Sequence, residues 1–229
     1  MNRSIVLAGA LLLASASAFR LPAAEHAPTA RDHYYEAALN DSGEEPAWRA
    51  VRTSILLRRE GRDLREVSER ADFRNSDSFK LIVESNMDGY LYLFLHDTEG
   101  HLKLLFPYEG GKGKTNQVVA FESRLVPGKT APWFRFDNHS GAEQVFLFLS
   151  AKPISELENM KKGTDSEMLA DLERLISHNG TPDFLQFDEG EANGVESVGS
   201  QSATYYAEKN AGARRFLVRR MELKHHSAE

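Results

Sequence analysis

Apolar residues crowd into three short runs in FKLIVESNMDGYLYLFLHDTEGHLKLLFP, residues 79–107, parted by Met87-Asp88-Gly89 and by Asp97-Thr98-Glu99-Gly100. Strands joined by tight turns account for that pattern. Phe79, Leu81 and Val83 share one face of a first strand, 79–85, with Lys80 and Glu84 on the other. The next run, 90–96, is apolar on both faces, Tyr90, Tyr92 and Phe94 against Leu91, Leu93 and Leu95. Such a strand belongs in the middle of a sheet with a layer on each side. Asp97 to Gly100 then closes an antiparallel hairpin onto 101–106, and Pro107 ends the ladder by removing a donor. A positive φ is expected at Gly89.

Period-two alternation elsewhere predicts strands at 51–57, 64–67, 117–121, 133–136, 144–150 and 216–223, the last a short edge strand with basic flanks. One helix is well signalled. Thr164 and Glu167 form a capping box, and Met168, Leu169, Leu172, Leu175 and Ile176 recur on one face, predicting a helix over 165–177 that covers a sheet. A short helix is expected around 33–39, and 183–201, rich in Gly, Ser and acids, reads as loop. The fold class is mainly β: an antiparallel β-sandwich with one covering α-helix near the C-terminus, an antiparallel β-barrel being the alternative.

The ends and the composition narrow the address. MNRSIVLAGALLLASASAF has a basic start, a short apolar run and small residues at Ala16-Ser17-Ala18, the pattern of a secretory signal peptide over 1–18, cut after Ala18 or after Ala24. Its apolar run is about half of the ~20 residues a bilayer span requires. Residues 19–48 then read as leader or linker and 49–226 as one domain. The chain of 229 residues has no cysteine, which removes disulfides, thiolate metal sites and cysteine nucleophiles together. With 28 Lys and Arg against 34 Asp and Glu, the formal charge of −6 disfavours a general nucleic-acid role. The basic pairs Arg214-Arg215 and Arg219-Arg220 are expected to flank a sheet face.

DSFKLIVESNMDGYLYLFLHDTEGHLKLLFP, then Asn116, Val126-Pro127 and Gly141-Ala142-Glu143-Gln144 leading into VFLFLSAKP, resembles the family named domain of unknown function 4384 over about residues 75–153. The resemblance implies an extracytoplasmic or multidomain accessory module and carries no assigned activity.

Candidate chemistry is sparse. GGKGKT at 110–115 is not a Walker A loop: Tyr108 stands where its first glycine is required, and a strand is expected to follow instead of a helix. Lys112 and Lys114 in that glycine-rich loop are instead candidates for contact with an anionic partner. Tyr90, Tyr92, His96 and His101 are candidate surface aromatic or hairpin contacts. His96 and His101 flank the turn, where cross-strand proximity would bring both imidazoles to one metal site with a carboxylate, a geometry the sequence specifies only weakly. Asp188, Glu189 and Glu191 lack EF-hand spacing, and His225-His226 is expected to be exposed. No Gly-x-Ser-x-Gly elbow occurs. No catalytic residue, metal ligand or cofactor is assigned. The expected role is a non-catalytic envelope or secreted binding module for a protein or an anionic cell-envelope polymer, the alternative being a hydrolase acting on a cell-surface polymer.

Overall fold

The computed structural model describes residues 26–40, 44–107, 115–160, 163–189, 202–210, 212 and 214–227. A capping box between Thr29 and Asp32 opens α1 (Ala30–Leu39). Ten strands follow: β1 (Trp48–Arg58), β2 (Arg65–Val67), β3 (Phe73–Arg74), β4 (Ser78–Ser85), β5 (Gly89–His96), β6 (Leu102–Phe106), β7 (Gln117–Val118), β8 (Arg124–Val126), β9 (Phe134–Arg135) and β10 (Gly141–Ser150). After α2 (Ser155–Glu158) and α3 (Asp165–His178) come β11 (Phe184–Glu189), β12 (Ala203–Lys209) and β13 (Leu217–His226).

Two sheets pack face to face and neither closes on itself, so the fold is a sandwich and not a barrel. The first sheet runs β11-β12-β1-β4-β8, with β2 on β1 and β9 on β4; the second runs β3-β13-β10-β5-β6, with β7 on β5. Between them lie the inward-facing residues of both, among them Val51, Leu81, Leu93, Leu147 and Leu217. The two-sided strand β5 explains the next layer. Tyr92 and Phe94 face away from the sandwich core, joining Phe146, Phe148 and Phe216 under Leu157 of α2 and Leu172 and Leu175 of α3. On the opposite side Ala30 and Tyr34 of α1 pack on Ala50, Ala203, Tyr205 and Ala207. Four layers result, helix on sheet on sheet on helix.

The β5–β6 hairpin forms as expected, antiparallel with His96 opposite Leu102, and Gly100 takes φ +88° in its turn. The capping box of Thr164 and Glu167 starts α3 where the sequence places it. Other expectations are corrected. The expectation of one covering helix near the C-terminus fails: a second helix, α1, lies near the N-terminus and covers the other sheet, and three strands follow α3. The segment read as leader therefore contains a docked helix. Phe184–Glu189, expected as loop, is a strand paired with Ala203–Lys209, which the pattern did not reveal; residues 190–201 lie outside the described ones. The strand expected at 117–121 stops at Val118, since Phe121 turns away with φ 61°. β13 is an edge only in part, because its last two residues pair in parallel with β3.

Gly89 does not have a positive φ; its need is space. A Cβ there would stand 2.3 Å from the carbonyl oxygen of Ser150 on the neighbouring β10. Lys80, on the face read as polar, is 1% exposed, its ammonium donating to the carbonyls of Gly128 at 2.7 Å, Ala131 at 3.0 Å and Lys129 at 3.2 Å. Three donors meet three acceptors, and the loop before β9 is tied to β4. All four arginines of the two basic pairs are ion-paired: Arg214 with Glu208, Arg215 with Glu156, Arg219 with Glu69 and Arg220 with Glu173. Among the described residues no helix is long and apolar enough to cross a membrane.

Candidate functional site

The β1–β2 hairpin and the segment leading into β3 enclose a cavity of about 330 Å³. Gly61, with φ +69°, permits the tight turn that the Arg62 N–H closes onto the Arg59 carbonyl, returning β2 along Ile55 to Leu57. That return brings Arg62 and Arg65 to the rim of the cavity and leaves the apolar side chains of Leu57, Val67 and Ala71 in its wall. Arg59 and Arg74 complete the lining with Asp63 and Asp72.

These arginines are not equivalent. Arg59 is fixed: Nη2 is 2.6 Å and Nε 2.9 Å from the two oxygens of Asp77, which is 3% exposed, and Nη2 also donates to the Asp72 carbonyl at 2.9 Å. Asp77 further accepts the Arg74 backbone N–H at 2.9 Å, so one buried carboxylate clamps the start of β3 to the end of β1. Arg62, Arg65 and Arg74 have no ion-pair partner among the described residues, and the buried Nε of Arg74 has no hydrogen-bond partner. Of the two acids, Asp72 is engaged by His226. The cavity therefore presents three guanidinium groups without an ion-pair partner beside an apolar wall, against one carboxylate of its lining, Asp63, that is likewise unpaired among the described residues. Guanidinium offers planar forked donors that match carboxylate, phosphate and sulfate, and it is more weakly hydrated than an ammonium. Burial beside Leu57 and Val67 would strengthen such a contact over one made in open water.

The residues singled out from sequence fall elsewhere. Lys112 and Lys114 lie outside the described residues. Tyr92 is 3% exposed, which takes it off the surface: its hydroxyl donates to Glu158 at 2.6 Å and accepts the Ile154 N–H at 3.0 Å, holding α2 onto β5. Burial, with the Glu158 carboxylate beside it, raises its phenol above the ordinary range. Tyr90 is half-buried and accepts a hydrogen bond from Gln117 at 3.1 Å. His96 sits on the β5 face that carries Tyr92 and Phe94, and among the described residues it and His101 join no group of metal-ligating side chains. His101 is exposed, with Nδ1 3.3 Å from Asp97 and 3.5 Å from Glu99. Burial pushes the Asp97 carboxyl up, but the Lys103 ammonium at 2.7 Å and the His101 backbone N–H outweigh it, and its pKa falls below the usual carboxylate range. His225, expected to be exposed, is 3% exposed, stacked on Phe136 and bonded through Nδ1 to Asn75.

The arginine cavity was not anticipated. Its residues are scattered through RREGRDLREV and DFR, and only the return of β2 and the arrival of β3 assemble them. The one available signal was local, an excess of arginine between 58 and 74 in a chain of net charge −6.

Residues 72–153 match the family described as Domain of unknown function (DUF4384). No curated protein and no solved structure matches the chain.

Proposed function

We propose that this chain, with its DUF4384 segment from β3 to just past β10, is a non-catalytic extracytoplasmic binding module that holds an anionic group of a cell-envelope polymer or protein partner in the arginine cavity. The observation that carries this reading is the set of three partnerless guanidinium groups around about 330 Å³ of space with an apolar wall. That volume lies at the lower end of ligand pockets, ~300–1,000 Å³, and suits one residue of a polymer or one acidic side chain. A basic cavity on a chain of formal charge −6 would select a single well-placed anion while the rest of the surface repels polyanions. The signal-like segment 1–18 supports placing the domain outside the cytoplasm, where such polymers occur. The lysine-bearing loop 108–115 would be a second contact with the same class of partner.

Titration calorimetry with a uronic-acid oligosaccharide and with inorganic phosphate tests the reading and separates carboxylate from phosphate recognition. Saturable binding of either probe is expected, weakened at least tenfold in Arg62→Ala with Arg65→Ala at an unchanged melting temperature, and weakened further as salt rises past ~0.15 M. Absence of saturable binding to both probes, or equal affinity in the double variant, would remove the cavity from the function.

A further inference from the structure

The β5–β6 turn and the loop between β9 and β10 meet at one end of the sandwich, and there the structure assigns a divalent-cation site to Glu99, Asp137 and His139. These residues come from two segments nearly forty positions apart, yet their ligand atoms all lie within 4.8 Å of one another. His139 Nδ1 is 3.5 Å from Glu99 Oε1 and 3.9 Å from Asp137 Oδ2. Two tetrahedral ligands with bonds of about 2.1 Å stand about 3.4 Å apart, so a cation fits after adjustments of a few tenths of an ångström. The carboxylate of Asp137 is already oriented, accepting the Thr98 hydroxyl at 3.2 Å and the His139 backbone N–H at 2.8 Å. Such outer contacts hold a ligand in place before the metal arrives.

A second observation, from the interior, points the same way. Glu143 and His225 are each 3% exposed, with His225 Nε2 3.9 Å from Glu143 Oε1. Glu143 Oε2 and His225 Nε2 are buried acceptors without a hydrogen-bond partner. His225 stacks on Phe136, the residue before Asp137, with ring centroids 4.6 Å apart, so the buried pair lies behind the loop that carries two of the three ligands. The exposed trio thus has beside it a buried carboxylate and imidazole whose facing atoms are unsatisfied. The carboxylates of Asp97, Glu99 and Asp137 gather here while the one ammonium, Lys103, is paired with Asp97, and a bound cation would offset the remaining negative charge. An imidazole with two carboxylates suits a first-row transition ion such as Zn²⁺, whereas Ca²⁺ takes oxygen ligands. His139 is mostly exposed, so the remaining positions would be filled by water or by a ligand group from outside.

Titration of Zn²⁺ alone into the untagged, chelator-treated full chain decides the matter, with Ca²⁺ as the comparison ion. One equivalent of Zn²⁺ is expected to bind and to shift the His139 imidazole resonances. His139→Ala and Glu99→Gln should each weaken binding at least tenfold, while His101→Ala leaves it within about threefold. Melting temperatures of the variants, all altered at exposed positions, check that the fold is intact. No saturable Zn²⁺ binding, or wild-type affinity in both His139→Ala and Glu99→Gln, would overturn the assignment. So would Ca²⁺ binding as tightly as Zn²⁺ and indifferent to His139→Ala, which would make the site an oxygen-only one.

Discussion

Glu143 offers a measurable pH signature. It sits on β10 at 3% exposure with Oε2 unpartnered, and burial first, then the charges of Asp137 and Asp97, pushes its carboxyl up from 4.5 to about 7. In the unfolded chain the same carboxyl titrates near its ordinary value. Between pH ~4.5 and 7 the native state therefore holds a proton that the unfolded state has released, and linkage makes stability fall as pH rises through that window. Above about pH 7 the native carboxyl is also ionised and the loss is complete. At about 1.36 kcal/mol per pH unit, the rise to about 7 corresponds to a loss of about 3 kcal/mol. Glu143→Gln keeps the shape and removes the ionisation. The variant is expected to match the wild type within ~1 kcal/mol at pH 4 and to exceed it by ~2–3 kcal/mol at pH 8. His225, whose pKa burial lowers, works in the other direction, losing stability as pH falls, but it is present in both proteins, so the difference between their profiles isolates Glu143. Urea melts at pH 4, 6 and 8 in the presence of chelator, with m-values compared for two-state behaviour, supply the measurement. Parallel profiles for the two proteins would show that Glu143 ionises freely in the native state and would refute the reasoning.

Two further outcomes are expected. Gly89→Ala should destabilise by ~1–3 kcal/mol, because its Cβ would meet the Ser150 carbonyl and force β5 from β10; a urea midpoint equal to the wild type would show that the strands part without cost. Protein purified from its native source should begin near Phe19 or Glu25 and lie outside the cytoplasm, and N-terminal sequencing that returned Met1 from a cytoplasmic fraction would remove the compartment from the proposed function.

What could be read from the sequence follows from how each element is buried. β5 was legible because both its faces meet apolar layers, so nothing polar interrupts the run from Tyr90 to Leu95. α3 was legible because its cap and its apolar stripe are both local. β12, Ala203–Lys209, hid because both its faces are buried and mix small, polar and aromatic residues: Ala203, Tyr205 and Ala207 lie under α1, while Thr204, Tyr206 and Glu208 face the other way, Glu208 paired with Arg214 at 2.6 Å. No period-two hydropathy survives that mixture, and with β12 unseen its partner β11 read as an acidic loop. Gly89 was recognised as necessary but for the wrong reason, since a close approach to Ser150 depends on a strand some sixty residues away. The same holds for the arginine cavity and for the Glu99–Asp137–His139 group. Each is a product of tertiary juxtaposition, and neither has a spacing that a linear pattern could register.

The order of strands also governs when this chain can fold. In the first sheet β1 lies between β4 and β12, and Trp48 pairs with Lys209, a separation of 161 residues. In the second sheet β13 pairs with β10 from Gly141 to Leu149. At synthesis rates of ~5–20 residues per second, β1 waits roughly 10–30 s for β12, and β10 keeps an open edge until β13 emerges. Loop closure over such distances comes before the contacts that reward it, which places this topology among the slow folders. A ribosome-bound fragment ending after β10 would hold five of the seven strands of the first sheet and five of the six of the second, with β1 and β10 left as open edges for pairing with other chains until β12 and β13 emerge.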